Sequence, residues 1–498
     1  MPSCVWLNVS RVPTIWPSVR SHKITVPSIE FIKACVPLGS AESDVRAKSS
    51  ALLLQWSTYD SLSHERTHAA QTSTLSSSYT IRKSLIRKHF LHRSLLAYTT
   101  KHLDAYLSRN RGVVPRTWDI DISWADELDE LWSDELWELG ELLDSADPAD
   151  PRWFILKPSM SDRGMGIRLF ESKEALRNIF LSFEEIESDG SDGEIGNGEG
   201  DTSEGKDTSV IASQLRHFVI QVYISDPLLL DPSEANISQS SPPRPGSRPT
   251  KVSYPSLFCF LSVQFIFRKF HIRAYCIASG ALTLYVNPNL LALFAGAPYT
   301  APSRQRAHNG DEESTIDLSP HLTNTSLQTP SAANPDPNDN VRLLSEMIGC
   351  EILSRPGEAE FLTKEDVHDI TSQVSEILAD TFRAALESTV HFQPLPNVFE
   401  LFGADLLVSH TPAPPSASSK FTVSILELNA EPAIEMTGRR LSWVLETMFS
   451  GICQACVGPF FRMSADNETV VEAEWEVGET RFGLRKCLEV EVRARKSW

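Results

Sequence analysis

The run Phe421 to Glu435, F-T-V-S-I-L-E-L-N-A-E-P-A-I-E, constrains this chain most. It opens with β-branched and apolar residues, the composition of a buried strand. Side chains along a strand alternate between faces, so Val423, Ile425, Glu427 and Asn429 are expected on one face. Pro432 ends the ladder because it has no N–H to donate. A second apolar run, Val398 to Val408, precedes it, and the Pro/Ser-rich segment between them is long enough for antiparallel pairing. Such pairing brings Asp405 beside Glu427 and Asn429. Three oxygen donors on two rigid strands suit a hard cation, with Mg²⁺ the expected ion. The alternative is two ordinary strands carrying acids at their exposed ends.

The chain has 498 residues and a formal net charge of −19, unevenly spread. Residues 118–150 hold many acids and no Lys or Arg, whereas Arg82 to Lys101 is strongly basic. The acidic total argues against general DNA binding, while the basic segment could cradle an acidic peptide or a phosphate instead of being a solvated face. Of the 8 cysteines only Cys453 and Cys456 are closely spaced. A single CxxC in an apolar helical stretch reads as reduced thiols, not zinc. The longest apolar run, Leu257 to Phe267, is far below the ~20 residues of a membrane span, so a cytoplasmic protein is expected.

Residues 1–50 show no periodicity and stay unassigned. A strand is expected at Ala51 to Trp56. A serine-capped helix is expected from Ser76, with Ile81, Leu85, Ile86 and Phe90 on one face. Asp119 to Asp150 reads as an acidic helix burying Trp124, Leu128, Leu131 and Leu139. Amphipathic or apolar helices are expected over Glu365–Leu386 and Leu441–Cys456. Segments near 184–209, 233–250, 301–314 and 329–340 have the composition of surface inserts. The resulting division is 51–150, 151–460 and a C-terminal extension, 461–498.

Further stretches carry chemistry. In W-F-I-L-K-P-S-M-S-D-R-G-M-G-I a strand ends at Lys157, and Gly164 and Gly166 bracket a loop before a second strand at Ile167. Glycines permit close backbone approach to a ligand, and successive N–H groups can cradle phosphate. No Walker sequence follows, so the loop is otherwise a plain hairpin turn. H-F-V-I-Q-V-Y-I reads as a strand whose Gln221 could read an adenine edge or sit on a sheet edge. R-K-F-H-I-R-A-Y alternates strictly: Lys269, His271 and Arg273 share one face, which calls for an anion or for solvent. H-L-T-N-T follows as a polar loop, with Asn324 of most interest.

These segments, with F-G-A-D and L-E-L-N-A-E-P, occur in the order found in the tubulin–tyrosine ligase family of the ATP-grasp superfamily, and the chain resembles that family over roughly residues 150–440. S-S-S-Y-T-I-R-K-S-L-I-R-K-H-F and G-L-R-K-C-L-E-V-E-V-R resemble its fungal branch, associated with processing bodies (P-bodies). The resemblance implies an α+β ATP-grasp fold behind a smaller N-terminal domain. It implies that Lys157 and Lys269 hold ATP phosphates beneath the Arg163, Gly164, Gly166 and Ile167 loop. Gln221, Val222, Tyr223 and Ile224 would line the adenine, Asn324 would join the nucleotide site, and Asp405, Glu427 and Asn429 would bind Mg²⁺. The implied reaction is ATP-dependent ligation of a free amino acid to a protein carboxylate, with tubulin or another acidic-tailed protein as acceptor. Arg273 would stabilise the acyl phosphate or hold the acceptor.

The sequence also departs from the family. His271 stands where an acid is usual, no Arg follows Arg273 until Arg304, and Val252 to Phe267 fills the place of a short linker. That run reads as retained intron sequence, and the N-terminus as an atypical first exon. The first two departures favour a second reading, an inactive scaffold of messenger ribonucleoprotein granules. Together the implied lysines and metal donors favour the ligase.

Overall fold

The computed structural model describes residues 52–147, 149–161, 164–189, 216–237, 267–303, 316–323, 340–355, 357–412, 419–462 and 474–491. Arg163, Asn324 and the run Val252 to Phe267 apart from its last residue lie outside the described residues, as do residues 1–50 and most of the four insert segments.

The strands are β1 Leu53–Gln55, β2 Thr74–Ser76, β3 Thr117–Asp121, β4 Phe154–Pro158, β5 Arg168–Phe170, β6 His217–Val222, β7 Leu229–Leu230 and β8 Arg268–Ser279. They continue with β9 Thr283–Val286, β10 Leu291–Phe294, β11 Val341–Leu343, β12 Phe399–His410, β13 Phe421–Ala430, β14 Thr480–Arg481 and β15 Leu484–Glu489. A four-stranded antiparallel sheet runs β3-β6-β4-β5. A larger sheet is organised on β8, which has both edges filled. One edge pairs with β7 and β12, the other with β10 and β9.

Alternation along β8 separates two cores. Phe270, Ile272, Ala274, Cys276 and Ala278 enter the main core, which the helix Lys364–Glu387 covers with Ile370, Val374, Ile377 and Phe382. Thr363 starts that helix with a capping box: its hydroxyl accepts from the Asp366 N–H, and Asp366 accepts from the Thr363 N–H. On the other face, Tyr275 and Ile277 pack against Val444, Met448 and Ile452 of the helix Ser442–Ile452. The helical stretch Arg439–Phe461 is long and apolar enough to cross a membrane by length and composition, but 56% of an apolar 18-residue span within it is buried inside the protein, and a core helix passes the same test.

Three expectations are corrected. The helix expected from Ser76 begins at Lys83, after β2, and breaks at Arg87 before the helix Lys88–Lys101. The serines do not cap it: Ser78 donates to the buried Glu400 carboxylate at 2.9 Å, and Glu400 also accepts the Tyr79 N–H. The acidic segment starts as β3, because Trp118, Ile120 and Ile122 alternate into the core of the smaller sheet. Its helices are short, and Trp124 is 56% exposed. The third correction concerns β13. Asp405 faces Glu427, but Leu406 faces Ile425, so Leu426 is an extra residue. This bulge reverses the alternation. Phe421, Val423 and Ile425 enter the main core before it, and Leu428 and Ala430 after it. Glu427 and Asn429 therefore lie on the face opposite to that of Val423 and Ile425.

Phe382 is fully buried and meets the rings of Phe392 and Phe402. Phe382→Ala is expected to cost about 3–5 kcal/mol through lost contacts and a residual cavity, read as a lower midpoint of chemical denaturation. An unchanged midpoint would show that the helix and sheet do not share one core.

Candidate nucleotide and cation site

A cavity opens between the two sheets. The smaller sheet contributes Ile155, Lys157, Gln221 and Val222, with Tyr223 and Ile224 just beyond β6. The larger sheet contributes Lys269, His271, Asp405, Leu407, Leu426, Glu427 and Asn429. Ser161, Gly164 and Ile167 close one side, His321, Leu322 and Thr323 another, and Lys88 enters from the basic helix. Gly164 and Gly166 have φ of 78° and 72°, the left-handed region that favours glycine, which explains the Gly-x-Gly spacing.

Lys157 and Lys269 are 7% and 6% exposed. Lys157 donates to Gln221 Oε1 at 2.6 Å, and Gln221 in turn donates to Thr117. Lys269 donates to the Tyr223 hydroxyl at 3.2 Å and lies 4.4 Å from the centre of that ring. Among the described residues neither lysine forms an ion pair with a carboxylate. Burial pulls both ammonium groups down, Lys157 to about 8 and Lys269 to about 7, with Lys157 lowering Lys269 further. Burial and the nearby Lys269 cation also bring His321 down to about 4.

Opposite the lysines lie the carboxylates. Burial alone would raise the Asp405 carboxyl, but the Arg273 guanidinium overrides it and holds it well below the usual range. Arg273 binds both Asp405 oxygens, at 2.5 and 3.0 Å. Glu427 is likewise opposed by burial but held down by Lys88, whose Nζ is 3.1 Å away. Asn429 Nδ2 lies 3.2 Å from Asp405 and 3.3 Å from Glu427. Gly403 makes this packing possible. A Cβ there would lie 2.8 Å from Pro432 Cβ and 3.1 Å from Arg273 Cδ, so the glycine of F-G-A-D is the gap through which Arg273 reaches Asp405.

The residues fit a nucleotide with its cation. Two carboxylates and an amide that can turn its oxygen inward are hard donors grouped around one point. Among the described residues no group of three or more His, Cys, Asp or Glu side chains is arranged to hold a metal ion unaided. A cation here would complete its shell with water and substrate phosphate oxygens.

The structure thus brings together Lys157, Gly164, Ile167, Gln221, Val222, Tyr223, Ile224, Lys269, Asp405, Glu427 and Asn429, with Gly166 in the adjoining turn. Arg273 stands behind Asp405, outside the cavity lining. Sequence reading did not place Lys88, Thr323, Leu407 or Leu426 in the site. Lys88 was visible only as part of a basic helix face, and Leu407 and Leu426 carry no signal that separates them from core leucines. Cys453 and Cys456 are buried free thiols in the second core.

A model of the tubulin-tyrosine ligase family matches residues 78–465. A probable tubulin–tyrosine ligase of Schizosaccharomyces pombe is 32% identical over 416 residues, covering 82% of this chain and 84% of the relative. The probable tubulin–tyrosine ligase PBY1 of Saccharomyces cerevisiae is 31% identical over 461 residues, 91% of this chain but only 52% of that longer protein. Among solved structures, the C-terminal domain of K. lactis Pby1, described as an ATP-grasp enzyme interacting with the mRNA decapping enzyme Dcp2, superposes with a TM-score of 0.55 at 25% identity, covering 94% of this chain and 96% of that one. With the matched region, the sheet pair and the cavity between them in agreement, the chain belongs to the tubulin–tyrosine ligase family and has its α+β ATP-grasp fold.

Proposed function

We propose that this protein is an ATP- and Mg²⁺-dependent carboxylate–amine ligase that joins a free amino acid to a protein carboxylate. The observation carrying this reading is the pair of buried lysines that form no ion pair with a carboxylate among the described residues, facing two carboxylates and Asn429 across one cavity. Bound Mg–ATP would supply a phosphoryl group that activates the acceptor carboxylate, which an amine then attacks with loss of phosphate. The chain itself needs no nucleophile for this; its task is positioning and charge neutralisation. Lys157 and Lys269 would hold phosphate oxygens, and Gly164 would let the loop backbone approach them. Tyr223, Ile224, Leu407 and Leu426 offer apolar surface to a base. Asp405, Glu427 and Asn429 would hold the cation. Arg273 would orient Asp405 and keep it ionised, a positioning role.

A second reading is a non-catalytic scaffold. Arg273 and Lys88 already neutralise Asp405 and Glu427, and a relative is described as interacting with a decapping enzyme. That description makes association with cytoplasmic P-bodies the proposed setting under either reading. Glu427→Gln separates the two: it is expected to lower ligase turnover at least about 10²-fold, with an unchanged melting profile. Turnover equal to the unsubstituted protein would refute the ligase assignment, while association with decapping factors should survive under the scaffold reading.

Phosphate binding favours charged lysines, so the free-site values of about 7 for Lys269 and about 8 for Lys157 fix a sign. At pH 8 Lys269 is mostly neutral, and nucleotide binding must take up protons. Affinity is therefore expected to weaken as pH rises from 7 to 9. Calorimetry in buffers of different ionisation enthalpy measures the uptake; proton release at pH 8 would contradict the lysine placement.

A further inference from the structure

His271 is 3% exposed, and among the described residues its Nε2 has no hydrogen-bond partner. The ring lines the cavity. Its Nδ1 meets Thr323 Oγ1 at 2.5 Å; when Nδ1 carries the proton and donates to that hydroxyl, the Nε2 lone pair is left free. Nε2 lies 3.4 Å from Asp405 Oδ1, within ion-pair distance of it but without hydrogen-bond geometry. Two ligands held about 2.1 Å from one ion are about 3.0 Å apart at cis octahedral positions and about 3.4 Å apart in a tetrahedron. The 3.4 Å between nitrogen and oxygen matches the tetrahedral separation and lies slightly beyond the octahedral one. A ligating imidazole usually gives its other N–H to a neighbouring oxygen, and Thr323, itself buried, occupies that place.

We propose that His271 Nε2 is a nitrogen ligand to the cation held by Asp405, Glu427 and Asn429, so that the site prefers a first-row transition ion such as Mn²⁺ or Co²⁺ to Mg²⁺. The proposal rests on the nucleotide–cation reading of the cavity and names a donor which that reading lacks. Imidazole strengthens binding along the series from Mn²⁺ to Co²⁺, whereas Mg²⁺ gains little from it. Turning Asn429 Oδ1 inward would complete a mixed nitrogen and oxygen set.

The test uses the full chain with a non-hydrolysable ATP analogue. Mg²⁺, Mn²⁺ and Co²⁺ are titrated against the unsubstituted protein and His271→Asp. Preference for Co²⁺ over Mg²⁺ should fall at least about tenfold in the variant. A second measurement needs no variant: pulsed electron paramagnetic resonance of bound Mn²⁺ should show a nitrogen coupling that changes when the histidines carry isotopic nitrogen. Equal metal preference in the two proteins, or a Mn²⁺ signal insensitive to histidine labelling, overturns the ligand assignment while leaving Mg²⁺-dependent nucleotide binding in place. Loss of all cation-dependent nucleotide binding in the unsubstituted protein would overturn the nucleotide–cation reading itself.

Discussion

Two lysine side chains buried between sheets, with no ion-paired carboxylate among the described residues, set the terms for the rest of this molecule. Burying a cation is costly unless something compensates it, and burial lowers both Lys157 and Lys269 toward neutrality. Their hydrogen-bond partners are polar but uncharged, Gln221 and Tyr223. An anion entering the cavity would find donors already aimed and desolvated. The carboxylates opposite are in the reverse condition. Each is held ionised by a cation, Arg273 for Asp405 and Lys88 for Glu427. Positive and negative halves of the cavity come from different sheets or different strands of one sheet, so the site exists only when the two sheets are in place.

Strand β8 links this charge arrangement to the fold. Its even-numbered residues from Phe270 to Ala278 build the main core. Its odd-numbered residues supply Lys269, His271 and Arg273 at one end and Tyr275 and Ile277 to the second core at the other. A strand packed on both faces and paired on both edges has little freedom to shift register. The separation of Lys269, His271 and Arg273 is thus fixed by the most constrained element of the large sheet. The pair β12–β13 adds its donors through two local devices, the bulge at Leu426 and the missing side chain of Gly403.

Much of this was legible in the sequence where a pattern is local. The strict alternation of R-K-F-H-I-R-A-Y placed three basic side chains on one face, and the amphipathic spacing from Glu365 to Leu386 marked the covering helix. Ordered motifs pointed to the family and hence to the two-sheet architecture. Where local reasoning failed, a distant partner was responsible. Ser76 to Ser78 look like a cap, yet Ser78 serves the buried Glu400 more than 300 residues away. Trp118 and Ile120 lie in an acidic stretch of helical appearance, but the open edge of β6 recruits them as a strand.

By itself, then, the sequence determined the composition of the site: which strands carry Lys157, Lys269, Asp405, Glu427 and Asn429, and where glycine permits close approach. Each of those depends on periodicity or residue type over a few positions. Only the tertiary structure decided which faces meet. It inserted Leu426 so that Glu427 and Asn429 turn toward the cavity while Ile425 and Leu428 both stay in the core. It brought Lys88 to Glu427, and Thr323 and Asp405 to His271, leaving one buried imidazole nitrogen without a hydrogen bond among the described residues. Such choices depend on contacts between residues far apart in the chain, and no local periodicity encodes them.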